Sequence, residues 1–147
     1  MGQFKKIVAV VISAVVMTAS VGVSVDATTV GSTSKMTTGG TSGRITLKAV
    51  ADKEYFTPST AGYYGYKYGV TVSLFPSPAI ADVIEIYANF CTSTTTYETS
   101  EIDCDVNSCE LHTSLAESSS QYVSAQFTSY VTSSEYGNTD IYLNVAY

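Results

Sequence analysis

Beyond Arg44 the apolar positions of this chain recur at every second residue, the period at which side chains alternate across a pleated sheet. In RITLKAVA, Ile45, Leu47, Ala49 and Ala51 fall on one face while Arg44, Thr46 and Lys48 fall on the other, which predicts a half-buried strand. A longer run places Tyr64, Tyr66, Tyr68, Val70, Val72 and Leu74 together and ends at Pro76 and Pro78, which cannot donate to a ladder. ADVIEIYANFCTS gathers Ile84, Ile86, Ala88 and Phe90 on one side. Further strands are predicted from Tyr97 to Val106, from Cys109 to Leu115, around Val123, Ala125 and Phe127, and over Ile141, Leu143, Val145 and Tyr147. No segment here keeps a helical period, and Val, Ile, Thr and Tyr, which suit a pleated half-buried surface, dominate.

These strands and their turn signals predict an all-β domain of about seven strands, an antiparallel β-sandwich, with a small β-barrel as the alternative. The chain has no Trp and lacks the widely spaced cysteine pair of antibody domains, so the pattern leaves the topology open.

The first residues follow another rule. MGQFKKIVAVVISAVVMTASVGVSVDA has a basic start at Lys5 and Lys6, an apolar run from Ile7, and small residues approaching Ala27, which together read as a secretory signal peptide over residues 1–27. The competing reading is an uncleaved anchor, since Ile7 to Val25 could span a bilayer; Ser13, Thr18, Ser20, Gly22 and Ser24 count against it. No second apolar stretch of spanning length follows, and no cysteine near Ala27 is placed to take a lipid. Residues 28–43, TTVGSTSKMTTGGTSG, are Ser, Thr and Gly with little apolar content, and are expected to form a flexible leader. A single β domain over 44–147 remains.

Charge narrows the partners. The formal net charge is −6, from 7 basic and 13 acidic residues; cleavage after Ala27 would remove Lys5, Lys6 and Asp26, leaving 5 and 12. Such a balance argues against nucleic acid or anionic membranes, which need a positive face, and is compatible with cations and neutral glycans.

The densest chemistry lies in EIDCDVNSCEL, residues 101–111. Asp103, Asp105 and Asn107 have the spacing of the first ligands of a helix–loop–helix calcium loop, but Ser108 stands where its glycine belongs and Ser114 where its bidentate Glu belongs. Alternation suggests a hairpin instead, with Asp105 to Ser108 as its loop and Cys104 opposite Cys109 as a cross-strand disulfide. Cys91, on the polar side of its strand, is then the free thiol and a candidate for a disulfide-linked dimer. In that register Asp103 faces Glu110, so a calcium ion held by Asp103, Asp105 and Glu110 would relieve the repulsion; a solvated acidic face is the simpler reading.

Tyr64, Tyr66 and Tyr68 in GYYGYKYG are candidate ligand-stacking residues, although they continue the apolar face of their own strand and so read first as its core edge. Catalytic motifs are thin. His112 is the single histidine, no G-x-S-x-G elbow marks a nucleophilic serine, and alternation turns His112 and Cys109 to opposite faces, with His112 toward solvent. Zinc could draw only on Cys91, Cys104, Cys109 and His112, and a secreted protein is expected to oxidise those thiols. The sequence therefore points to a small secreted extracellular binding or surface-structural protein without catalysis, holding a glycan or an extracellular protein. A secreted toxin or bacteriocin-like protein is the alternative, and a secreted hydrolase comes third.

Overall fold

The structure, a computed structural model, describes residues 25–113 and 121–147. Most of the signal-peptide assignment therefore lies outside the described residues. The described residues form eight strands: β1 (Val25–Met36), β2 (Thr46–Tyr55), β3 (Tyr66–Phe75), β4 (Ala81–Cys91), β5 (Thr96–Val106), β6 (Ser108–His112), β7 (Ser124–Thr132) and β8 (Thr139–Ala146). They form two four-stranded antiparallel sheets, ordered β1-β2-β3-β6 and β5-β4-β7-β8. Neither sheet closes on the other as a barrel; the fold is a β-sandwich.

The alternation predicted from sequence sets the inner faces. Leu47, Ala49 and Ala51 of β2, and Tyr68, Val70, Val72 and Leu74 of β3, meet Ile84, Ile86, Ala88 and Phe90 of β4 and Ala125, Phe127 and Val131 of β7 in one core. Cys109 and Leu111 of β6 and Ile141, Leu143 and Val145 of β8 belong to the same core. Every second residue of β8 is buried, as one solvated face requires.

Residues 28–43 depart from the expected flexible leader. Their first part belongs to β1, paired with β2 from Thr28 opposite Lys53 to Met36 opposite Thr46. The rest is tied to the β7–β8 turn: Thr38 N donates to Asn138 O at 3.0 Å, Asn138 N returns to Thr38 Oγ1 at 3.0 Å, and Ser42 N reaches Glu135 O at 2.8 Å. Thr37 is buried, and its hydroxyl accepts from Ile45 N at 3.1 Å. The composition misled because an edge strand draws its order from backbone pairing, and Thr is a good strand residue even where it buries little.

The predicted Cys104–Cys109 hairpin is also absent. β5 pairs with β4 in one sheet and β6 pairs with β3 in the other, so Val106 to Ser108 is a step between sheets. Asn107 holds that step: its side-chain amide donates to Ala79 O at 2.6 Å and Leu74 O at 3.3 Å, and its carbonyl accepts from Leu74 N at 2.9 Å. Asp105, at φ 56°, turns the chain there.

Candidate functional site: the outer face of the β5-β4-β7-β8 sheet

On strands whose inner positions are apolar, solvent-facing positions are ordinarily polar, so tyrosines there mark this outer face as unusual. β4 presents Tyr87, β7 Tyr130 and β8 Tyr142, which are 43%, 47% and 54% exposed. Register brings them together. Tyr87 lies opposite Thr128, which lies opposite Tyr142, so the two tyrosines flank Thr128 two strand spacings apart, about 9.5 Å. Tyr130 sits one step along, between Glu85 and Asp140, with its ring centroid 6.0 Å from that of Tyr87 and nearly perpendicular to it.

Polar groups surround the rings. Tyr87 donates its hydroxyl to Glu85 Oε2 at 3.1 Å, and that bond holds its phenol above the usual value. Asn89, Gln126 and Asn144 form the next row, a line of side-chain amides with both donors and acceptors. Beyond Tyr130 the face runs into a groove of about 450 Å³ lined by Lys35, Met36, Tyr130, Thr132, Asn138 and Asp140, among others. Lys35 Nζ bonds Asp140 Oδ1 at 2.8 Å, and this hydrogen bond lowers the Asp140 carboxyl below its usual value. The signal was present in sequence as an aromatic at the polar parity of three strands. Their adjacency was not, because it depends on the strand order β4-β7-β8.

The residues singled out by sequence have other fates. Tyr68 is 1% exposed and packs against Tyr147, with centroids 4.2 Å apart, and edge-on to Tyr122. Tyr66 is half-buried between Tyr55 and Tyr68 with Lys53 Nζ 4.2 Å above its ring, and Tyr64 is exposed in the loop before β3. The three do not form one exposed platform; they grade from loop to core.

The three cysteines are free thiols: Cys104 is exposed, Cys91 half-buried and Cys109 buried. The expected Cys104–Cys109 staple does not form: Cys104 takes the outward parity of β5 and is exposed, whereas Cys109 is buried between the sheets. Burial, then the charge of Asp103, pushes the Cys109 thiol up to about 12, which keeps it protonated and unreactive.

The calcium set is likewise dispersed. Asp103, opposite Ile84, lies on the inward-facing parity of β5 beside Cys109; Asp105 is exposed at the chain step; Glu110 lies on the outer face of the other sheet. Among the described residues no group of three or more His, Cys, Asp or Glu side chains is placed to hold a metal ion. The Asp103–Glu110 opposition that motivated the ion does not exist, because β5 and β6 are not paired.

His112 does face outward, as alternation requires, but it is only partly solvated. Its side chain is 24% exposed and lies between two carboxylates, with Nδ1 3.8 Å from Asp52 and Nε2 3.7 Å from Glu110. Asp52, Gly69 and His112 form one row across β2, β3 and β6, and the missing Cβ of Gly69 leaves the space that the ring fills. Burial raises the Asp52 carboxyl, against the pull of His112 and Lys67.

Two sheets with a solvent-facing aromatic and amide surface define a β-sandwich with a candidate binding face. Compared with models of known protein families, with curated proteins and with solved structures, the chain matches none.

Proposed function

We propose that this is a small secreted, non-catalytic extracellular binding module that holds a neutral polysaccharide across the outer face of β4, β7 and β8. The observation that carries the reading is the triplet Tyr87, Tyr130 and Tyr142, brought onto one exposed face by register. Aromatic rings offer apolar faces to the C–H surfaces of sugar rings, while Asn89, Gln126, Asn144 and Glu85 offer the hydrogen-bonding groups that hydroxyls need. Glu85, Glu98 and Asp140, with a net charge of −6 over the chain, disfavour anionic polymers. The apolar N-terminal run supports secretion, and cleavage after Ala27 would leave β1–β2 pairing intact from Thr28 onward.

Binding to an array of neutral and acidic polysaccharides tests this reading, with Tyr87→Ala, Tyr130→Ala and Tyr142→Ala as variants. Retention by a neutral polymer is expected, weakened about tenfold by each substitution, an effect of about 1.4 kcal/mol. If acidic polymers are held equally, or if the triple variant binds as the parent does, the assignment of this face is wrong.

A further inference from the structure

β5 is the outermost strand of its sheet, 11 residues long, paired with β4 on one side and, among the described residues, with no strand on the other. All its residues are exposed except half-buried Asp103 and Val106. The other edges are protected differently. β1 and β8 lie against each other at the opposite flank, joined by Lys35–Asp140 and by Thr139 Oγ1 donating to Met36 O, and β6 has only five residues.

A long free edge offers a row of unpaired N–H and C=O groups, which proteins usually blunt with lysine, proline, shortness or inward charges. β5 contains neither Lys nor Pro. It carries four acids, Glu98, Glu101, Asp103 and Asp105, and no base. Glu101 and Asp103 lie opposite Ile86 and Ile84, at the parity that faces the other sheet. That arrangement selects among strands. A second copy of β5 would set acids against acids, and an apolar strand would cover Glu101 and Asp103 without a counterion. A strand with cations at alternate positions satisfies both backbone and charge, and its long aliphatic stems can lie along Tyr97 and Thr99 on the same face.

We infer that the free edge of β5 receives an extended lysine- or arginine-bearing segment of another protein as an added strand. Exposed Tyr97 and Ile102, both 52% exposed, supply apolar contact, one on each face of that strand. The proposal uses the backbone edge of β5 and its inward-parity acids rather than the rings of Tyr87, Tyr130 and Tyr142, so loss of polysaccharide binding and loss of peptide binding are read separately.

The test adds a synthetic peptide of alternating lysine and valine to the intact secreted protein and follows amide hydrogen exchange residue by residue. Alternate amides between Thr96 and Val106, those directed away from β4, should slow at least about tenfold. The same peptide with glutamate for lysine should not bind, and Glu101→Gln with Asp103→Asn should weaken binding about tenfold. Binding without alternating protection, equal binding of the glutamate peptide, or self-association through β5 in sedimentation without peptide would each overturn the proposal. The exchange measurement on the parent protein decides even if the double variant folds poorly.

Discussion

Gly69 shows how one residue sets a local arrangement. Its neighbours across the sheet are Asp52 and His112, and a Cβ at this position would overlap the imidazole ring. Without a side chain on β3, the ring of His112 lies over the backbone toward Asp52, with Nδ1 buried and, among the described residues, lacking a hydrogen-bond partner. Gly69→Ala should therefore displace the ring and cost about 1–3 kcal/mol, the usual range for overpacking. In a His112→Ala background the same substitution should cost less than half as much, because the methyl then enters vacated space. A double-mutant cycle by chemical denaturation measures this coupling, and additivity would show that the ring is not what constrains Gly69. Sequence alternation placed His112 on the outer face, but its cover could not be read, because Asp52 and Gly69 become neighbours only through register.

Among the elements, β1 carries the largest discrepancy between composition and structure. Its exposed Thr and Ser side chains bury little, yet its backbone completes the ladder of β2, and Val30 packs against the core. Gly31 is needed where β1 crosses β8, since a Cβ there would come within 2.5 Å of Val145 Cγ1. A chain beginning at Arg44 loses this strand and the bonds from Thr38, Gly39 and Ser42 to the β7–β8 turn. It should melt at least about 10 °C below a chain beginning at Thr28, following the conversion from a few kcal/mol for a domain of this size. Equal melting temperatures would mean that residues 28–43 behave as the leader their composition suggests. The inner faces of β2, β3, β4 and β8 were legible because burial on one side enforces alternation, whereas that of β5 was not. In ETSEIDCDV the apolar positions are Ile102 and Cys104, yet these point outward while Glu101 and Asp103 take the inner parity. An edge strand beyond the packed centre escapes the rule that makes the period informative.

For the molecule as a whole, several protons are trapped between the sheets. Burial pushes the Cys109 thiol up to about 12 from 9.0 and the Tyr68 phenol up to about 12 from 10.0, and raises the Tyr147 phenol still further. Among the described residues neither the Tyr68 nor the Tyr147 hydroxyl has a hydrogen-bond partner to compensate the ionised oxygen. The folded state thus binds these protons more tightly than the unfolded chain. Their contribution to stability is complete below about pH 9 and is lost as pH rises toward 12, at up to about 1.4 kcal/mol per pH unit for each proton. Cys109 acts first, above pH 9, and the two tyrosines join above pH 10. Urea midpoints measured from pH 7 to 11 should be flat before this fall. Tyr68→Phe, which removes an unpartnered hydroxyl while keeping the ring against Tyr147, should leave the midpoint at pH 7 unchanged or higher and make the decline above pH 10 shallower. The net negative charge also weakens the fold at high pH, but it is common to both proteins. Parallel declines for parent and variant would show that the Tyr68 proton is not held by folding.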